Sequence, residues 1–213
     1  MCGSIGASNE KVCNSARPVS HRTQGLKYPR PFDLPDDASL ANLLAEAREL
    51  GINLLDTAPA YGLSEERLGH LLQGQRQHWI VSTKTGEEFS DGHSRFDFSA
   101  AHTIASVERS LRRLRTDYLD LVLVHSDGDD LRILRDTEVM STLAMLKQTG
   151  KIRAFGFSGK TVEGGIEALA QADLAMVTYN LSQTAEAAVI DYAGAHGKGI
   201  FIHRPLRVHD PVA

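Results

Sequence analysis

Residues 118–125 read YLDLVLVH, a Leu/Val run closed by a single polar residue, His125. A strand buried on one face alternates apolar and polar positions. A strand covered by helices on both faces reads as a nearly continuous apolar run. The same form recurs on either side. Upstream, Ile52–Leu55 closes on Asp56 and Trp79–Thr83 closes on Lys84; downstream, Ile152–Phe157 closes on Ser158, followed by Leu174–Tyr179 and Gly199–Ile202. Helical spacing fills the intervals. Leu40, Leu43, Leu44 and Ala47 share a face between a cap at Asp36 or Asp37 and a stop at Gly51. Ser64 is expected to cap a helix with Glu65 and Glu66 in its first turn and Leu68, Leu71 and Leu72 on its buried face. Ser99 precedes Ile104, Val107, Leu111 and Leu114; further helices are expected around Val139–Leu146, Val162–Gln171 and Ala185–His196. The polar stretches Thr85–Phe98 and Ser126–Asp136 are expected to be loops. Six strands alternating with helices predict an α/β fold on a parallel sheet, either doubly wound or a (β/α)₈ barrel. In both, function gathers at the C-terminal ends of the strands.

Composition narrows the class. The 213 residues carry 23 Lys+Arg against 27 Asp+Glu, a net charge of −4, so no basic field points to nucleic acid. No apolar run is long enough to span a membrane, and no signal peptide is visible. The two cysteines, Cys2 and Cys13, exclude a disulfide scaffold and fit a reducing, cytoplasmic setting. Residues 1–35, rich in Ser, Asn, Gly and Pro, read as an irregular leader, and residues 36–213 as the patterned domain.

The polar residues that close the strands are therefore the candidates for chemistry. Asp56, Lys84 and His125 come from three strands, and Tyr61 lies five residues past Asp56. An ammonium beside a phenol favours loss of the phenolic proton, and a carboxylate keeps the ammonium charged and oriented. A histidine can donate a hydrogen bond to a carbonyl oxygen. Together these groups suit protonation of an alkoxide as a carbonyl accepts hydride.

The stretches GINLLDTAPAYGLSEERLGHLL (51–72), IVSTKTG (80–86), SVERSLRRLRTDYLDLVLVHSDG (106–128), KIRAFGFSGKTVEGG (151–165) and VTYNLSQ (177–183) resemble, in order, the aldo-keto reductases. The resemblance covers roughly residues 37–206. It implies a (β/α)₈ barrel of TIM type, here incomplete with about six units, that uses NADPH without a metal to reduce a small aldehyde or ketone. By resemblance Tyr61 is the general acid, Lys84 tunes it, Asp56 pairs with Lys84 and His125 orients the carbonyl.

Some family positions differ. The Ser-Asn pair that holds the nicotinamide carboxamide is Ser158-Gly159, so Ser158 alone carries over as a cofactor contact. Met176 stands where the next strand often supplies Gln, and His203, in HRPL, stands where an aromatic residue often stacks on the nicotinamide. The family's first strand, seventh helix, eighth strand and eighth helix have no counterpart, so the resemblance implies a barrel truncated at both ends. Open sheet edges then imply self-association, and a catalytically impaired fragment or a non-catalytic binding or regulatory relic of the same fold is the alternative.

Other patterns carry less. Residues 154–161, AFGFSGKT, nearly match the phosphate loop G-x-x-x-x-G-K-[ST], but Ala154 replaces the first glycine. Arg109, Arg112, Arg113 and Arg115 read as a solvated helix face beside Glu108 and Asp117. His196, His203 and His209 fit no zinc spacing, so no metal is expected.

Overall fold

The structure, a computed structural model, describes residues 34–206. The expected leader falls outside the described residues except for Leu34 and Pro35, as do Cys2, Cys13 and His209. Helix α1 (Asp37–Glu49) starts at Asp36, whose carboxylate accepts the Ser39 N–H at 2.7 Å, and buries Leu40, Leu44 and Ala47. Strand β1 (Leu54–Asp56), a 3₁₀ turn (Pro59–Tyr61) and helix α2 (Ser64–Leu71) follow. Then come β2 (Ile80–Thr85), β3 (Glu87–Ser90), β4 (His93–Phe96), α3 (Ala100–Leu114) and β5 (Leu119–His125). Helices α4 (Asp130–Asp136) and α5 (Val139–Gln148) lead to β6 (Ile152–Ser158), α6 (Val162–Gln171), β7 (Leu174–Thr178), α7 (Ala187–Ala195) and β8 (Gly199–His203).

Six strands pair in parallel in the order β1-β2-β5-β6-β7-β8. They form a curled half-barrel with helices, as expected for an incomplete (β/α)₈ barrel. Successive side chains point to opposite faces of a strand. Leu55, Val81, Val122, Val124, Phe155 and Phe157 pack into the main apolar core, while Ala175, Val177, Ile200 and Ile202 pack into a second cluster with helix residues. Asp56, Lys84, His125, Ser158 and His203, at the alternate positions of these strands, therefore share the opposite face, the concave one. At Gly156 on that face an added Cβ would meet the Leu174 carbonyl oxygen at 2.4 Å, so β6 and β7 approach there as only glycine permits.

Four expectations need correction. The Thr85–Phe98 stretch is not a plain loop; it contains the antiparallel hairpin β3–β4. The Ser126–Asp136 stretch contains α4, which buries Ile133 and Leu134. Ser64 is the first residue of α2 rather than its cap, because its hydroxyl is shared with Thr57 at 2.7 Å across the loop. Two of the four arginines are not simply solvated: Arg109 pairs with Glu88, and Arg113 pairs with Glu65 and Glu66 at 3.3 Å each, while Arg112 and Arg115 are exposed as expected. These partners come from β3 and from α2, which packs against α3, whereas Glu108 binds Lys151 at 2.7 Å.

Candidate active site

Asp56 ends β1 beside Ser82 in register, and Lys84 lies two residues further along β2 on the same face. The Lys84 ammonium donates to Asp56 Oδ2 at 2.5 Å and to the Thr57 carbonyl at 3.0 Å. Ser82 Oγ donates to the other Asp56 oxygen at 2.8 Å, so the carboxylate is held at both ends. Lys84 is 3% exposed. Burial alone opposes its charge, but Asp56 and Tyr61 more than offset this, and the ammonium is held well above the usual lysine range.

Tyr61 is delivered by the 3₁₀ turn, which Gly62 ends at φ +63°, a backbone conformation that disfavours side-chain-bearing residues. Its hydroxyl interacts with the Lys84 ammonium, which lies 5.0 Å from the ring centroid. The Tyr61 and His125 rings meet edge to face, with centroids 6.5 Å apart. Asp56, Tyr61, Lys84 and His125 are thus brought together at one mouth.

His125 is the register partner of Ser158 across β5 and β6. Ser158 is half-buried, and its carbonyl accepts the Ser126 N–H at 3.2 Å. At the far end of the face His203 pairs in register with Thr178, and its Nδ1 lies 3.0 Å from the Thr178 hydroxyl. Burial foremost, then the charges of Arg204 and Lys84, push His203 down to about 4, so its ring is neutral near pH 7. Met176 is half-buried on β7.

Sequence reasoning missed Glu87. It is 4% exposed on β3, and its Oε2 lies 2.6 Å from His125 Nδ1. The only available signal was a pair of glutamates three and four residues past Lys84, and a polar stretch gave no reason to place either one.

The phosphate-loop resemblance has a different explanation. The Lys160 and Thr161 N–H groups and the Thr161 hydroxyl all donate to Asp130 Oδ2, at 2.8, 2.8 and 2.7 Å. The start of α6 therefore already holds an internal anion where a phosphate would lie. An added Cβ at Gly159 or Gly164 would meet Asp130 at 2.9 or 2.3 Å, which explains those two glycines. Among the described residues no His/Cys/Asp/Glu cluster suits a metal.

Residues 30–208 match the family model described as Aldo/keto reductase family. The chain belongs to the aldo-keto reductases. A crystallised aldo-keto reductase from Pseudomonas aeruginosa is 64% identical, with a TM-score of 0.81 over 83% of this chain and 70% of that one. The holo form of an aldo-keto reductase from Bacillus halodurans is 32% identical, with a TM-score of 0.71 over 84% of this chain and 64% of that one. Among curated relatives, aldo-keto reductase YhdN of Bacillus subtilis is 35% identical over 74% of this chain and 49% of its own length. L-galactose dehydrogenase of Arabidopsis thaliana is 41% identical over 54% of this chain and 36% of its own length. The chain spans about half or less of the length of these first curated relatives. No helix among the described residues is long and apolar enough to cross a membrane.

Proposed function

We propose that this aldo-keto reductase chain reduces the carbonyl of a small aldehyde or ketone with NADPH, and that Tyr61 is the general acid. The observation that carries this is the buried Lys84 ammonium, held charged between Asp56 and Tyr61. A phenol is a poor acid near neutral pH; an adjacent, permanently charged ammonium eases release of its proton. Asp56 fixes the ammonium, and Ser82 fixes Asp56. His125, edge-on to Tyr61, orients the substrate oxygen by hydrogen bonding.

The mouth suits a nicotinamide. Ser158 presents a side chain on the concave face beside His125, and a neutral His203 ring can stack on an aromatic cofactor without charge repulsion. Met176 offers no amide partner, so the carboxamide contact falls to Ser158. When bound, the reduced nicotinamide supplies the hydride to the carbonyl carbon; the chain's own residues hold the substrate oxygen and deliver its proton. The setting we propose is cytoplasmic.

NADPH oxidation followed at 340 nm with a panel of small aldehydes and ketones tests this. Turnover with at least one of them is expected. Absence of both turnover and NADPH binding by fluorescence would overturn it. A second reading, a non-catalytic relic that self-associates, is favoured by β1 and β8 closing the sheet order among the described residues. Concentration-dependent oligomers without NADPH binding would support that reading.

A further inference from the structure

The β3–β4 hairpin turns two adjacent glutamates to opposite sides. Glu88 faces α3, where it pairs with Arg109 and lies 3.6 Å from His102 Nε2, anchoring the hairpin to that helix. Glu87 faces the mouth. One of its oxygens accepts the Ser94 hydroxyl at 2.6 Å from the neighbouring strand, and the other lies 2.6 Å from His125 Nδ1. Gly86, at φ +96°, makes the turn that starts this path; a Cβ there would meet the Phe98 ring at 2.5 Å.

A carboxylate at 4% exposure is costly unless a cation or hydrogen-bond donors compensate it. The Ser94 hydroxyl satisfies one oxygen, and the imidazole is the group at the other. This contact constrains the histidine. If neutral His125 gives its one proton to Glu87 through Nδ1, then Nε2 carries a lone pair and cannot donate to a carbonyl oxygen. Donation at Nε2 together with the Nδ1 contact requires both ring protons. The surrounding charges allow this. Lys84 is already neutralised by Asp56, and His203 is neutral; Arg204 is exposed, and the Tyr61 and His125 rings stand edge to face.

We propose that Glu87 is a positioning residue that keeps His125 doubly protonated, so that its Nε2–H is a charged donor to the substrate oxygen. Glu87 remains a carboxylate throughout and exchanges no proton with substrate. The donor role rests on carbonyl reduction as proposed above; the protonation state of the ring does not.

The test is a histidine-ring ¹⁵N NMR titration of the full chain from pH 5 to 10, with the His125 signal assigned by its loss in His125→Asn. An opposite charge in contact shifts a titration by roughly 1–3 pH units. His125 is therefore expected to deprotonate about one pH unit or more higher in the wild type than in Glu87→Gln. Equal midpoints, or an unprotonated Nδ1 at neutral pH, would overturn the proposal. Ser94→Ala keeps the carboxylate but removes its hydroxyl donor, which makes it a stronger partner for the imidazole, so the His125 midpoint is expected to rise slightly; this decides the matter if Glu87→Gln fails to fold, and a fall or no shift there would count against the proposal. In kinetics, kcat/KM for carbonyl reduction by Glu87→Gln is expected to fall about tenfold at pH 8 and to approach the wild type at pH 6, in line with a one-unit shift. Glu87→Asp should restore part of the loss at pH 8. A loss equal at both pH values would mark Glu87 as merely structural. A shifted ring titration in a chain without turnover would support the protonation claim and overturn carbonyl reduction alone.

Discussion

The two ends of the sheet hold similar ingredients arranged to opposite effect. At the N-terminal end, Asp120 accepts from Arg76 at 2.7 Å, from Arg153 at 2.9 Å and from the Val81 N–H at 3.0 Å. The two guanidinium carbons lie 4.6 and 3.9 Å from the Tyr118 ring centroid. At the C-terminal end, Asp56 holds one lysine, and that lysine reaches a tyrosine hydroxyl. Arginine does not lose its proton in proteins and here it stacks on a ring face, so the first cluster has nothing to exchange. Lysine is a compact point charge, and at the mouth it acts on the phenolic oxygen. The first arrangement ties β2, β5 and β6 together; the second keeps a cation where a proton can move.

Substitutions that separate the ends sharpen this contrast. The largest effect is expected from Lys84→Met, which removes the ammonium from Tyr61. Turnover should fall by about 10²–10⁴, the usual worth of an acid–base group. Asp120→Asn should instead cost about 1.5–3 kcal/mol of stability, the range for hydrogen bonds to a charged group, with kcat unchanged. Urea denaturation and steady-state rates check both; a kcat loss in Asp120→Asn would erase the distinction. Asp130→Ala, which leaves the Lys160 and Thr161 N–H groups ahead of α6 without their acceptor, should cost about 1–3 kcal/mol by the same denaturation measurement.

The last expected effect is a pH dependence. Native His203 takes a proton only near pH 4, whereas the unfolded chain takes it near its ordinary value of about 6.5. Between these values the unfolded state binds more protons. This contribution to stability is therefore complete above about pH 6.5 and is lost as pH falls toward 4. A melting-temperature profile should decline over that window, and less steeply in His203→Asn.

What the sequence reveals follows from burial. Runs such as YLDLVLVH are visible because helices cover the strands on both faces, and the polar residue closing each run marks the mouth. The β3–β4 hairpin is invisible because EEFS and HSRF are short and polar, and the whole of β4 is exposed. Helix α4 is hidden for a related reason: DLRILRD buries only Asp130, Ile133 and Leu134. Glu87 was missed along with the hairpin, since only the turn at Gly86 carries it to His125. Asp56, Tyr61, Lys84 and His125 were legible because each sits on or just after a strand end. The phosphate-loop likeness has a structural cause, since the groups that would cradle phosphate hold Asp130, distant in sequence.

The most direct test of the mouth as a proton-delivering site is Tyr61→Phe, which removes one oxygen and leaves the ring. NADPH-dependent carbonyl reduction should fall by about 10²–10⁴, while NADPH binding by fluorescence and melting temperature stay at wild-type values. Near-normal turnover in Tyr61→Phe would contradict the account.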